Sequence, residues 1–435
     1  MTTTLVLEGC QTADARGRSA GSVDIVIRDG RIVEIAPVRA GSATVADTGE
    51  RARRIDLTGA TVVPGLVNMH AHLSFAHPGS LEQRAIEGED QAAHVLRMAG
   101  TAAKALRAGV TTMRLVGEPD GLEITVREAI RRERVDGPRI WTACSPLTYR
   151  DGHGGAVGAL AGESPEEYGL LAEQQVQRGA DLLKVVMCGG GAGGDLETVR
   201  MSEAEFAAIR AVARASGRRI AVHTAAVPDP IMDLLLADGV DTLEHCYRQS
   251  EEELQRSIDR NLLLVLTPLV TRSPEYFEAI ELPVKLREGV AQAGEAHWRA
   301  VCQAARAGAR LALGTDFHSH LRLHGTWAVV RELELYEEAG VEPAELLELA
   351  SRAGATWLGQ GDELGLVEEG FLADLLVLDA NPMDDGASAF RGLQLVIVGG
   401  RVFETRDPEA PGDHAVAAAR ENTVVHNSAS GVSRM

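Results

Sequence analysis

The chain has 435 residues, enough to bury a large core and to hold one barrel-sized domain with a smaller companion; 45% of them are hydrophobic and only 4% aromatic. A formal charge of −20 argues against a nucleic-acid or anionic-membrane surface and leaves a small-molecule substrate as the expected partner. No basic segment followed by an apolar one opens the chain, and no apolar run approaches ~20 residues, so a soluble, unexported protein is expected. The five cysteines (Cys10, Cys144, Cys188, Cys246 and Cys302) are scattered and form no C-x-x-C pair, which fits a reduced cytoplasm and gives no sign of a thiolate zinc site.

In chain order, short antiparallel strands are predicted over 4–9, 22–28 and 30–35, with Asp29-Gly30 as a hairpin turn. From residue 60 the pattern changes. Apolar strands are predicted over 60–72, 110–116, 139–147, 181–187, 219–224, 241–246, 262–267 and 310–316. Between them, apolar residues spaced by three and four predict helices over 91–107, 165–178, 203–215 and 228–237. Gly109, Gly179, Gly217, Gly239 and Gly308 end helices just before a strand, the usual C-terminal punctuation. Strands return over 373–379 and 393–403 in the style of the first set.

The expected fold is therefore α/β: a (β/α)8 TIM-like barrel over 61–361, with a discontinuous β-sandwich domain built from both chain ends, 1–60 and 362–405. Residues 406–435 are polar and alanine-rich and read as an extension or tail. A doubly wound open sheet is the competing architecture, but no glycine-rich dinucleotide fingerprint follows an early strand.

Of the 43 cationic residues only three are lysines, and Lys184 lies inside the apolar run Asp181 to Met187. Where arginine has displaced lysine nearly everywhere, a lysine kept in such a strand points to chemistry that needs a neutral amine. Such an amine can add carbon dioxide to become a carbamate, an anionic metal ligand; a snorkelling strand-end lysine is the alternative. Other predicted strands also end in metal-binding residue types: His70 and His72 two apart on one face, His223, His245 and Asp316. Each alone has a structural explanation, as a strand or helix cap. Six at the same end of separate strands point to a metal site.

At these residues the chain resembles the amidohydrolase superfamily. Pro64 to His72 (PGLVNMHAH) is similar to its first-strand signature, Leu313 to Asp316 (LGTD) to its eighth, and Gly365 to Asp379 to its return into the second domain. Within the group the chain resembles the prolidase-like dipeptidase and imidazolonepropionase-related branch, on Ala108 to Arg114, Gly137 to Arg139, His153 to Gly155 and Leu243 to His245. The resemblance implies that His70, His72 and Asp316 hold one metal and His223 and His245 a second, with Lys184 carboxylated by carbon dioxide and bridging the two. Zinc suits such ligands, with manganese and cobalt left open. One departure is Leu115, which stands where the branch carries an aspartate; another is the histidine-rich stretch with His318, His320 and His324.

The implied activity is hydrolysis of an amide or peptide-like C–N bond, in a dipeptide or N-acyl amino acid, by a metal-bridging hydroxide. Asp316 is the expected general base, and His153 the oxyanion or substrate contact. Tyr247 and Arg248 are expected to bind substrate, Arg248 through a carboxylate, and Arg114 is a weaker candidate. The alternative is a hydrolase of a cyclic amide or carbamate-like molecule. A mononuclear deaminase is less well supported, because Ala226 stands where a proton-moving glutamate would be and Lys184 would be idle; a metal-free binding scaffold would have no need of six ligands. The resemblance also makes a homo-oligomer plausible.

Overall fold

The computed structural model describes residues 4–38, 52–77, 79–189, 201–225, 229–237, 240–279, 281–316 and 325–405. The expected tail over 406–435 and the histidines at 318, 320 and 324 lie outside the described residues. The strands run β1 (Thr4–Asp14), β2 (Gly17–Arg18), β3 (Val23–Arg28), β4 (Arg31–Pro37), β5 (Arg53–Asp56) and β6 (Thr61–Pro64). Then come β7 (Leu66–Ala71), β8 (Val110–Leu115), β9 (Arg139–Thr142), β10 (Leu147–Thr148), β11 (Leu182–Val186), β12 (Arg219–Thr224), β13 (Thr242–His245) and β14 (Leu263–Val265). Three more, β15 (Leu375–Leu378), β16 (Leu393–Val398) and β17 (Arg401–Glu404), end the described chain.

The first six strands and the last three share one nine-stranded sheet in the order β17-β16-β15-β6-β1-β3-β4, with β2 and β5 paired to β1. The β3–β4 hairpin turns at Asp29 and Gly30, both at positive φ (50° and 79°), the backbone that an Asp-Gly turn supplies. Alternation along these strands sends Ile25, Ile27, Ile32, Leu375 and Val377 into one apolar cluster.

In the middle of the chain β7-β8-β9 form a parallel three-stranded sheet and β10 to β14 a parallel five-stranded one. Ser202 and Ser250 start helices with reciprocal capping boxes to Glu205 and Glu253, and Gly179 and Gly217 end helices at left-handed φ. Among the described residues, no helix is long and apolar enough to cross a membrane.

Three strand predictions need correction. The 60–72 run breaks at Gly65, so that β6 joins the terminal sheet while β7 starts the parallel one. Gly65 allows the break because a Cβ there would meet Thr111 Oγ1 at 2.1 Å, while its N–H donates to Asp374 O at 2.9 Å. Gly65→Ala should therefore cost ~1–3 kcal/mol by overpacking, read from urea unfolding midpoints; an unchanged midpoint would show that Thr111 gives way freely.

The 139–147 run splits into β9 and β10 around Cys144, whose φ is 55°. The 310–316 run forms no ladder, only a parallel bridge from Leu311 to Leu264 and separate hydrogen bonds to β7. The eight predicted strands thus do not form one continuous sheet. Isolated bonds link the pieces, among them Asp181 N to Thr142 O and Met69 N to Leu313 O, both 2.7 Å.

The same alternation positions the site. Leu182 and Ala221 pack with Leu263, Val265 and Ala312 in an inner apolar cluster. Two residues further along β11 and β12, the same face carries Lys184 and His223.

Candidate active site

The carboxyl ends of β7, β11, β12 and β13, with the stretch ending at Asp316, converge on a cavity of about 440 Å³. His70, His72, Lys184, His223, His245 and Asp316 all line it, together with His153 and Tyr247. Arg248 is half-buried and is not among the lining residues; Tyr247 is the one of the two that turns inward. Arg114 is fully buried and does not reach the cavity either. Ala226, which bears on the deaminase alternative, lies outside the described residues.

Left-handed backbone at non-glycine residues is uncommon, yet it gathers at these strand ends. Cys144, His245, Cys246, Thr267 and Asp316 have φ of 55°, 67°, 58°, 52° and 47°. Holding several such residues costs on the order of 1 kcal/mol each, and the strain is retained where side chains must be aimed. Gly314 shows the same demand for close approach. A Cβ there would meet Val265 Cγ1 at 2.2 Å and His70 Cβ at 2.9 Å, so glycine lets the last segment lie against His70. The N–H groups of Thr315 and Asp316 then both donate to His70 O, at 3.1 and 2.9 Å.

Asp316 Oδ1 lies 3.2 Å from His72 Nε2 and 3.4 Å from His70 Nε2. His72 donates from Nδ1 to Gly117 O at 2.7 Å. A carbonyl can only accept, so the His72 Nε2 that faces Asp316 carries a lone pair in the neutral ring. Two acceptors at such a distance require a cation or a proton between them. His70 Nδ1 pairs with Glu244 Oε2 at 2.7 Å, and Glu244 Oε1 takes Arg114 Nη2 at 2.6 Å.

His245 Nδ1 bonds Thr267 Oγ1 at 2.7 Å, and its ring stacks on Tyr247 with centroids 4.8 Å apart. His223 Nε2 donates to Gly189 O at 3.2 Å, and its ring centroid is 4.5 Å from that of His245. His153 lies 5.2 Å from His223 on the same measure. One possible ligand atom from each of His70, His245 and Asp316 falls within 4.8 Å of the others, a group able to hold a metal ion.

Lys184 is the most telling member. It is buried, and among the described residues its Nζ has no hydrogen-bond partner. A buried ammonium without a partner is expensive. Burial pulls the amine down to about 8, with Glu244 opposing that shift and Arg114 adding to it. Burial also pushes the Tyr247 phenol well above its ordinary range, keeping its proton in place as a donor.

Sequence reasoning missed Glu244, Thr267, His77 and the apolar wall. His77 lines the cavity, and burial takes its imidazole down to about 4, so it is neutral there. Phe75, Val157, Val270, Leu282 and Leu286 add apolar surface to the cavity lining, with the Phe75 ring centroid 5.8 Å from that of His72. The signal for Glu244 was present as a carboxylate directly before His245 in a predicted strand, but nothing in the sequence says which neighbour it meets.

The amidohydrolase family model matches residues 61–403. Ochratoxinase from Aspergillus niger is 25% identical over 354 residues, covering 74% of this chain and 71% of the relative. Imidazolonepropionase from Salinispora tropica is 27% identical over 383 residues, covering 82% of this chain and 85% of the relative. Among solved structures, an Xaa-Pro dipeptidase with bound methionine in its active site superposes with a TM-score of 0.78 at 24% identity, over 92% of this chain and 100% of that one; at this identity the likeness is one of fold.

Proposed function

The chain belongs to the amidohydrolase family, and on that premise we propose that the cavity is the active centre of a metal-dependent hydrolase that cleaves an amide or peptide-like bond. It is an enzyme of C–N bond hydrolysis, as the family and the enzyme relatives indicate. The two parallel sheets and the 311–316 segment are read as one (β/α)8 barrel, supported by the single bonds that link them and by the fold of the dipeptidase. The terminal sheet is read as the companion domain over 1–60 and 362–405, with β6 reaching into it.

The observation that carries the proposal is the pairing of an unpartnered buried amine with lone pairs facing a carboxylate. Among the described residues Lys184 Nζ has no hydrogen-bond partner, and the contact between His72 Nε2 and Asp316 Oδ1 needs a cation or a proton between its two acceptors. Two divalent ions fit that need, zinc by the nature of the ligands: one on His70, His72 and Asp316, the other on His223 and His245. Lys184 would serve both as a carbamate ligand, formed when its nitrogen bonds carbon dioxide with loss of a proton. When bound, such ions supply activated water at neutral pH and an electrophile for the carbonyl.

The protein groups do the rest. Asp316 takes a proton from the attacking water and passes it to the leaving nitrogen as the C–N bond breaks, giving a carboxylic acid and an amine. His153 and Tyr247 line the same cavity and offer N–H and O–H donors to the carbonyl oxygen. The apolar wall excludes water around the scissile bond and receives the substrate's hydrocarbon portion. Dipeptides and N-acyl amino acids are the first substrates to try. A cyclic amide is the second reading, favoured by the imidazolonepropionase relative.

The test is a panel of dipeptides, N-acyl amino acids and lactams offered to zinc-loaded protein and to the same protein after chelation. Turnover on at least one amide, lost on chelation and restored by zinc, is the expected result. Activity untouched by thorough metal removal would refute the proposal.

A further inference from the structure

Arg114 on β8 and Glu244 on β13 are both fully inaccessible to solvent, which is costly for a charged pair unless every donor and lone pair is used. The pair reaches across the interior between strands that belong to different sheets. Arg114 Nη2 donates to Glu244 Oε1 at 2.6 Å, Nη1 to Thr242 Oγ1 at 3.1 Å, and Nε to the carbonyl of Met69, the residue before His70. Thr242 Oγ1 in turn donates to Glu244 Oε1 at 2.5 Å. The guanidinium lies over Trp357, 4.7 Å from the ring centroid. Among the described residues, the Arg114 and Thr242 donors both act on Oε1. Oε2 is left for one contact there, His70 Nδ1 at 2.7 Å.

We propose that Arg114 and Glu244 are a positioning pair that sets the tautomer of His70. With Oε1 occupied by two donors, Oε2 can only accept, so His70 carries its proton on Nδ1 and presents the Nε2 lone pair toward Asp316. This rests on the reading of His70 as a metal ligand, and it gives Arg114 a task at the site without contact with substrate.

A purely structural ion pair and a tautomer-setting pair predict opposite results for one pair of variants. In Glu244→Gln, Arg114 and Thr242 keep the amide oxygen on their side, and the amide NH2 faces His70. His70 Nδ1 must then accept, its proton moves to Nε2, and the lone pair aimed at Asp316 is lost. Adding Arg114→Met frees the glutamine to turn its oxygen toward His70 and restores the original tautomer.

The readout is cobalt(II) titration of chelated, refilled protein, followed by absorbance, with near-ultraviolet circular dichroism as the check on folding. Glu244→Gln should weaken cobalt binding by about 10- to 100-fold, and the Arg114→Met/Glu244→Gln double variant should bind more tightly than the single one. Unchanged affinity in the single variant, or weaker binding still in the double, would overturn the inference. If either variant fails to fold, the nitrogen-15 spectrum of histidine-labelled wild-type protein decides: a His70 proton on Nδ1 supports the pair's role, and one on Nε2 refutes it. If wild-type protein binds no cobalt while its His70 is protonated on Nδ1, the hydrolase proposal fails and this inference stands.

Discussion

Lys184→Ala should abolish turnover, with a fall in kcat of on the order of 10³-fold or more, because the proposed metal centre would lose its bridging ligand. The lysine, on β11, lines the same cavity as His70, His72, Asp316, His223 and His245, and among the described residues its amine has no hydrogen-bond partner. Its Nζ makes no hydrogen bond among the described residues, and Glu244 keeps its closer partner Arg114, so stability should hold or rise slightly on its removal; burying a cation without a hydrogen-bond partner costs free energy that alanine does not incur. Loss of activity with an unchanged or higher melting temperature is the expected pattern. Short carboxylic acids, formate or acetate, should return part of the activity by occupying the space the carbamate would fill. A Lys184→Ala enzyme that turns over at the wild-type rate with a full metal complement would rule out the bridging role.

Asp316→Asn is the second large effect. The amide keeps the size of the side chain and its backbone bonds to His70 O, so the fold should persist. It loses the ability to accept and return a proton, which is worth about 10²- to 10⁴-fold in rate. It also puts an NH2 or a weaker acceptor against His70 and His72 Nε2, which now lie 3.4 and 3.2 Å from Oδ1. The expected outcome is a fall mainly in kcat and reduced metal retention on dialysis. A fall of less than tenfold would assign proton transfer to another group, with His153 the next in line because it lines the same cavity.

The six candidate ligands were legible because strand periodicity is local information. Two residues apart on a strand share a face, and strand ends in an alternating α/β chain lie on one side, so His70, His72, Lys184, His223, His245 and Asp316 could be placed together without knowing a single distance. What was not legible is everything set by contacts between distant strands. Arg114 and Glu244 are 130 positions apart, and each in isolation is a charged residue in a strand with no sign of its partner. The break at Gly65 turns on a clash with Thr111, and the sequence shows a glycine but not its neighbour.

Arg248 illustrates the same limit from the other direction. Proximity in sequence to His245 made it a natural carboxylate contact, but after the left-handed pair His245 and Cys246 the strand periodicity no longer applies. Tyr247 takes the inward position and Arg248 stands outside the cavity lining. The cavity wall was likewise invisible, since Phe75, Val270 and Leu286 come from loops and helices whose paths are fixed only by packing.

The central claim is that two metal ions share this cavity across Lys184. Diffraction from zinc-soaked crystals at the zinc absorption edge tests it most directly. Two anomalous peaks should appear, one among His70, His72 and Asp316 and one between His223 and His245, with continuous density extending from Lys184 Nζ toward both. A single peak with a bare lysine amine, or none at all, would contradict the account.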